Sequence, residues 1–433
     1  MKVEVQSKKL VQPSAPTPNQ SRKLGLSFID DLLFSKHAGI VYYYRAREST
    51  HEIHTLQRLH RLEESLSETL ALFYPLAGRY VEEELFIDCN DQGAEVIQAK
   101  VDGTLDQLLQ GDLDRDLFNS LSKFPLPAAN NPLVVVQVNS FNCGGLAISL
   151  RFSHKIGDMY TMAMFMNSWA TACRSGIQEV VPPNFELPSL FPVKEPALIQ
   201  WPTLPFRKKF ALARLKFSGQ ALSRLKAASH ASNSSDSIAN NSQRSRVEIV
   251  SALICKALIT IDRATKGLLM PFVYSTSINL RERVQLKMPT NACGNFFAHI
   301  TTPLAVEETE PSFNGILNLI GDAHRNAKLK YAAIADAGAL CSAVTDSLRD
   351  YVGVLGRDGA NVILITSWCR FPLYDSDFGW GKPDSVSNAS PPLRSVGLVD
   401  SPADGGIDAW ITLNHDEMAL FKQDPDIVAC TSS

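Results

Sequence analysis

Between Gly145 and Ser153 the chain alternates strictly. Leu146, Ile148, Leu150 and Phe152 share one side; Ala147, Ser149, Arg151 and Ser153 share the other. A period of two is that of a strand. After Gly157 the period lengthens. Met162, Phe165, Met166 and Trp169 recur at i, i+3, i+4 and i+7, the stripe of a buried helix face. Asp158 falls where that helix needs an N-cap. The pattern therefore predicts strand, tight turn and helix in succession. Continuing the strand's period carries His154 onto the apolar side, at the strand's exit.

The same reading places elements along the rest of the chain. Ser27 to Leu33 starts a short helix and His37 to Tyr44 is a strand. Thr55 to Phe73 is an amphipathic helix with Leu56, Leu59, Leu62, Leu66 and Leu70 on its stripe, ended by Pro75 and Gly78. His60 lies on that helix and is read as surface. Leu85 to Ile87 and Ala94 to Ile97 read as a strand pair. Pro132 to Ser140 is a strand, joined to the next by a hairpin at Asn142-Cys143-Gly144-Gly145. Residues 11–21, with three prolines, form an extended lead-in. Helices follow at Ser218 to Ala228, Val247 to Ala264 and Phe313 to Tyr331. Strands follow at Phe272 to Asn279, Val362 to Trp368 and Ala409 to Asn414, with a closing helix near Glu417 to Lys422. Helices between strands make the class α/β with mixed sheets.

Seven prolines crowd the stretch from Pro182 to Pro205. No sheet or helix tolerates that density, so it reads as a crossover between domains. The expected organisation is an N-terminal domain over 1–181, a proline-rich crossover over 182–210 and a C-terminal domain over 211–433. Ser232 to Gln243, rich in Ser and Asn, reads as an exposed loop.

Composition narrows the function classes. The chain has 433 residues, 45% hydrophobic and 20% charged, enough for a large core and against disorder. Net charge is −3 and no basic stripe stands out, so neither nucleic acid nor an anionic membrane is expected as a partner. The short basic runs Arg207-Lys208-Lys209 and Arg244 to Arg246 read as solvated loop faces. The eight cysteines are scattered, with no Cys-x-x-Cys pair, and no histidine cluster has metal-ligand spacing. No metal is expected. The amino terminus lacks an apolar signal core and no run approaches the length of a membrane span, so a cytoplasmic protein is expected. Asn233-Ser234-Ser235 fits a glycosylation sequon and carries little weight in that setting.

The candidate chemistry sits at His154-Lys155-Ile156-Gly157-Asp158. A histidine at a strand's exit, with a carboxylate four residues on, is a workable layout for a general base beside a turn that aims it. Alone it is weak: about half a His-x-x-x-Asp match is expected by chance. A histidine entering an apolar face is more often a satisfied core residue, and Asp158 is better explained as a cap than as a catalyst. A second motif, Asp377-Phe378-Gly379-Trp380-Gly381-Lys382-Pro383, reads by physics alone as a rigid loop.

Together these motifs closely resemble the paired signature of the plant BAHD acyl-CoA-dependent acyltransferases, in the branch that mostly uses acetyl-CoA. Tyr74-Pro75-Leu76-Ala77-Gly78-Arg79, Ser277-Ile278-Asn279-Leu280-Arg281, Cys293-Gly294-Asn295 and Thr366-Ser367-Trp368 resemble the same family in order and spacing. The resemblance implies a two-domain fold like chloramphenicol acetyltransferase with a channel between the domains. It implies an O-acyltransferase esterifying a hydroxyl of a specialised metabolite such as an alkaloid or terpenoid, with acyl-CoA, expected to be acetyl-CoA, as co-substrate and no resident cofactor. His154 would be the general base, with no acyl-enzyme. Trp368 and Thr366 would stabilise the oxyanion, and Asp158 would pair with Arg281 to hold the loop. Asp377 is carried over as a catalytic-motif residue, with a role in loop architecture near the coenzyme site favoured. Ser251, Lys256 and Asn295 would contact coenzyme A. A monomer binding only acyl-CoA and a small-molecule alcohol is expected. A longer or aromatic acyl donor, a sugar acceptor, or a catalytically silent binding homologue are the alternatives.

Overall fold

The computed structural model describes residues 1–34, 36–47, 52–110, 114–123, 131–194, 199–202, 210–231, 244–266, 272–304, 312–357, 361–389 and 394–432. The expected Ser232 to Gln243 loop, the run Arg207-Lys208-Lys209 and the sequon at Asn233 lie outside these residues. The chain divides into two compact units, each built from three separate segments. Unit 1 holds Met1–Leu198, Lys287–Phe296 and Phe371–Pro391; unit 2 holds Ile199–Leu286, Phe297–Arg370 and Pro392–Ser433. The first break falls inside the proline-rich stretch. The Asp377 motif, expected in the C-terminal domain, belongs by its contacts to unit 1, because Ser385–Asn388 just beyond it adds an edge strand beside His37–Tyr44.

Unit 1 is organised around a six-stranded sheet. Its strands run in the order Lys2–Val11, Ala94–Asp102, Val134–Phe141, Leu146–Ser153, His37–Tyr44 and Ser385–Asn388. Leu146–Ser153 is interior, antiparallel to Val134–Phe141 and to His37–Tyr44, with Leu150 opposite Val136 and Ile40. All eight of its residues are buried, on both faces. The polar face works because backbone carbonyls cover it. Arg151 Nη2 and Nε donate to the Ser122 carbonyl at 2.6 and 3.1 Å, and Asn139 Nδ2 donates to Leu121 O at 2.9 Å. Burial lowers the Arg151 guanidinium to a pKa of about 9.

One expectation is corrected in unit 1. Phe86–Asp88 and Ala94–Asp102 are not partners. The first pairs with Lys23–Gly25 and Arg79–Val81 in a small three-stranded sheet, the second with Lys2–Val11 and Val134–Phe141 in the large one. Lys2–Val11, to which the sequence pattern assigned no element, is a ten-residue edge strand; nine of its residues keep solvent exposure.

Unit 2 is organised around a seven-stranded sheet in the order Phe297–Leu304, Phe272–Asn279, Asn361–Ser367, Ser395–Asp400, Ile407–Asn414, Phe210–Phe217 and Thr431–Ser432. Asn361–Ser367 is parallel to both its neighbours. One face carries Phe272, Tyr274, Ile363, Ile365, Val396 and Leu398 into an apolar core with Ile249, Leu253 and Leu258 of the helix Arg246–Lys266. Arg244 to Arg246 is not a solvated face. Arg244 is 7% exposed, with Nη2 donating to Asn318 Oδ1 at 2.8 Å, and Arg246 pairs with Asp400 at 2.8 Å. The helix Ala337–Leu355 was not anticipated, although Leu340, Val344, Leu348 and Tyr351 line its buried side at helical spacing.

Among the described residues no helix is long and apolar enough to cross a membrane, and no group of His, Cys, Asp and Glu could hold a metal ion. All eight cysteines are free thiols.

Candidate active site

His154 leaves the end of the Leu146–Ser153 strand in a turn that the backbone pins from both sides. Its N–H donates to the Lys36 carbonyl at 2.8 Å, and the Ile156 N–H donates to the Ser153 carbonyl at 3.1 Å. Lys155 is turned inward; its Nζ donates to the carbonyls of Asp30 and Asp31 at 3.3 and 3.1 Å, tying the turn to the helix Phe28–Leu32. Asp158 caps the helix Met159–Ser175, as its position in the sequence predicts. Oδ1 accepts from the Thr161 N–H at 3.0 Å, and Oδ2 accepts from the Phe296 N–H at 3.0 Å. Asp158 is 7% exposed, so this carboxylate is bound into the frame and serves two donors.

Burial is the leading influence on the His154 imidazole and holds its pKa below the ordinary 6.5. The Asp158 carboxylate, the Asn295 side chain and the Gly157 carbonyl pull the other way without prevailing. The ring is therefore neutral at neutral pH, the state a proton acceptor needs. The Phe34 ring stands edge-on to it at 6.4 Å.

The loop Asn291 to Phe296 is the part of the site that periodicity could not place. Its backbone bridges Asn184, whose N–H donates to the Asn291 carbonyl at 3.0 Å and whose carbonyl accepts from the Cys293 N–H at 2.8 Å. Thr161 Oγ1 donates to the Gly294 carbonyl at 3.0 Å. Gly294 has φ +128°, and a Cβ there would meet Leu187 Cδ1 at 2.8 Å, so glycine is required on both counts. Asn295 is 0% exposed. Its Nδ2 donates to the His154 carbonyl at 2.6 Å and to Asp30 Oδ1 at 2.7 Å. The Asn295 amide, expected to contact coenzyme A, is enclosed in unit 1 and holds the backbone of His154.

The Asp377 loop is held by its own carboxylate and by packed rings. Asp377 Oδ1 accepts from the N–H groups of Gly379 and Gly381, at 2.8 and 2.9 Å. Both glycines have positive φ, 103° and 108°. Phe378 is fully buried against Trp169, ring centres 5.0 Å apart, and Trp380 stacks on Phe378 at 5.5 Å. Tyr44 Oη donates to the Ser376 carbonyl at 2.8 Å. Unit 1 thus brings His154, Asp158 and Asn295 into one bonded cluster and fastens the Asp377 loop to the same helix, Met159–Ser175. Asp30, which joins that cluster, was missed. Its signal was the Ser27-x-x-Asp30 spacing of a capping box.

The remaining predicted residues are in unit 2. Ile363 and Ile365 point into the core, so Thr366 faces the opposite side of the Asn361–Ser367 strand. Trp368 follows, 6% exposed, its backbone N–H donating to the Leu398 carbonyl at 2.8 Å. Arg281 sits half-buried just after Phe272–Asn279, with its N–H on Asn279 Oδ1 at 3.1 Å. Ser251 and Lys256 share the helix Arg246–Lys266. Ser251 is 0% exposed, with its hydroxyl enclosed in the interior of unit 2. Lys256 pairs with Asp426 of the helix Pro425–Cys430 and keeps partial exposure.

Comparison with known proteins agrees with this frame. Residues 1–428 match the model described as Transferase family. The acetyl-CoA-benzylalcohol acetyltransferase of Clarkia breweri is 37% identical over 438 aligned residues, covering all of both chains. Vinorine synthase of Rauvolfia serpentina is 31% identical over 97% of this chain and 96% of its own, and a crystal structure of vinorine synthase superposes with a TM-score of 0.81, covering 100% and 99% of the two chains. The TRI101 protein of F. graminearum, crystallised with coenzyme A and T-2 mycotoxin, shares the fold at a TM-score of 0.72 and 18% identity, covering 95% of this chain and 99% of its own. The chain belongs to the Transferase family, the BAHD acyl-CoA-dependent acyltransferases, and is an acyltransferase of groups other than amino-acyl groups.

Proposed function

We propose that this enzyme transfers an acyl group, acetyl in the favoured reading, from acyl-CoA to a hydroxyl of a plant specialised metabolite such as an alkaloid or terpenoid, with His154 as general base and no acyl-enzyme. The observation that carries the reading is the partly buried, neutral His154 ring at a turn whose backbone is hydrogen-bonded to Lys36 and Asn295. The acetyl-CoA named for the Clarkia breweri relative supports the choice of donor.

An alcohol attacks poorly until its proton is taken as the new bond forms. His154 removes that proton, and the hydroxyl oxygen adds to the thioester carbonyl. The resulting oxyanion is proposed to receive hydrogen bonds from the Trp368 indole N–H and the Thr366 hydroxyl. Collapse breaks the carbon–sulfur bond. The thiolate takes the proton back from His154, giving ester and free coenzyme A. One imidazole serves both transfers, so no nucleophilic residue of the chain is needed. In this reading Asp158 and Arg281 support the loop, Asp377 shapes its own loop, and a partly exposed Lys256 remains available to coenzyme A. The protein works as a monomer in the cytosol, where eight free thiols persist.

The test is free-thiol release from acetyl-, malonyl- and benzoyl-CoA against a panel of alcohols that includes benzyl alcohol, alkaloids and glycosides. Release with acetyl-CoA and one acceptor class is expected. His154→Ala should lower kcat/KM by about 10²–10⁴-fold. Full activity in that variant would overturn the mechanism, and silence with every donor would favour a binding homologue.

A further inference from the structure

Lys155 is the charged member of the His154 turn to which the reaction above gives no task. Lysine side chains seldom leave water, yet this residue is 7% exposed. Its Nζ donates to the Asp31 carbonyl at 3.1 Å and to the Asp30 carbonyl at 3.3 Å, and stands 5.5 Å from the centre of the Tyr80 ring. Both carbonyls lie at the C-terminal end of the helix Phe28–Leu32, where carbonyls lack helical partners and a cation is favoured. The Leu33 N–H meets the Asp30 carbonyl at 3.4 Å, too long to serve it well.

The same helix leads into the residues that flank His154. The Phe34 ring is edge-on to the imidazole, and the Lys36 carbonyl accepts the His154 N–H at 2.8 Å. Asp30 Oδ1 accepts from Asn295 Nδ2, which also donates to the His154 carbonyl. Lys155 is the side chain that binds the turn directly to that helix. The charges facing Nζ are Asp30 and Asp31 of the helix and Glu82, just beyond the Arg79–Val81 strand that carries Tyr80; all three favour the ammonium. Burial outweighs them and lowers the amine below the ordinary 10.5. Because folding lowers this pKa, loss of the proton at high pH does not weaken the fold relative to the unfolded chain. It removes the charge from two hydrogen bonds and from the ring contact, and a charged donor bonds about twice as strongly as a neutral one.

We propose that Lys155 is a positioning residue for His154: its ammonium, set between the end carbonyls of Phe28–Leu32 and the Tyr80 ring, fixes the turn that aims the imidazole. The kinetic consequence rests on the reading of His154 as base; the fixing of the turn does not.

The test joins amide hydrogen exchange at residues 154–157 with steady-state kinetics of the full-length enzyme, using acetyl-CoA and the alcohol that releases most thiol in the panel above. Lys155→Met keeps the stem and removes the charge. It should speed exchange at 154–157 and lower kcat by roughly 10–10²-fold, with little change in the KM for acetyl-CoA. Lys155→Arg keeps a charged donor and should recover part of both. Wild-type kcat should step down below pH 10.5 to a plateau near that of Lys155→Met, with circular dichroism unchanged, and the step should be absent from Lys155→Met. Loss of stability alone would lower the melting temperature and leave the step in place. Unchanged exchange at 154–157, or a step that persists in Lys155→Met, overturns the proposal. If Lys155→Met does not fold, the wild-type titration decides, and a folded enzyme with no step below pH 10.5 overturns it. Faster exchange with unchanged kcat also overturns it while His154→Ala is inactive. If His154→Ala is active as well, the base reading fails and the fixing of the turn stands.

Discussion

Asp158 holds two buried N–H groups, those of Thr161 and Phe296, and this sets what its loss should cost. Asp158→Ala removes a helix cap, about 1 kcal/mol, and leaves the Phe296 N–H unmatched, about 1–3 kcal/mol more. Urea unfolding should therefore show a loss of about 2–4 kcal/mol, with Asp158→Asn losing less because it keeps one acceptor. Normal stability with abolished turnover would contradict the structural role. At the same scale, a His154 pKa held below 6.5 keeps the base neutral into mildly acidic solution. The acid limb of kcat/KM should therefore lie below pH 6.5, and a limb at or above that value would be inconsistent with a ring whose pKa desolvation holds down. His154 and Asp158 were legible because phase and capping are local. The role of Asn295 was not, because its partners His154 and Asp30 are 141 and 265 residues away.

Elements were legible where one face is buried and the other is not, as in Phe272–Asn279 and the helix Phe313–Ala332. Lys2–Val11 was hidden by the exposure of an edge strand, and the partners of Phe86–Asp88 by the absence of any local rule for choosing a sheet. The Asp377 loop is an element held by one carboxylate oxygen and buried rings. Asp377→Asn keeps an acceptor and should retain the loop and most activity. Asp377→Ala should instead raise hydrogen exchange at residues 377–381 and weaken turnover with it. Loss of turnover in Asp377→Asn with the loop intact would assign the carboxylate a chemical role. The strand Asn361–Ser367 delivers Thr366 and Trp368. Trp368→Phe keeps an aromatic ring and removes the N–H, and it should lower kcat by about 10²-fold in steady-state assays if that donor meets the oxyanion.

At the scale of the molecule, partly buried histidines make stability depend on pH. His37 is lowered from 6.5 to about 4, chiefly by burial, although its Nε2 donates to the Pro132 carbonyl at 2.9 Å. The unfolded chain takes up this proton near pH 6.5, whereas the folded one resists until about 4. Stability should thus fall as pH drops through that window, by about 3 kcal/mol for the full 6.5 − 4 = 2.5 units. Thermal unfolding from pH 7.5 to 4 should show it, with a shallower slope in His37→Gln. An unchanged slope would mean that His37 is protonated in the native state.

Local periodicity was enough to determine the α/β class, the strand–turn–helix that presents His154, the capping role of Asp158 and, through motifs in register, the family. These depend on residues within a turn or two of one another. Which strands share a sheet, the inclusion of 287–296 and 371–391 in unit 1, and the latch from Asp30 through Asn295 to His154 were decided only by the tertiary structure. Such pairings follow from closing long loops around a shared core, and the closure cost grows so slowly with length that no local pattern records which partners it joins.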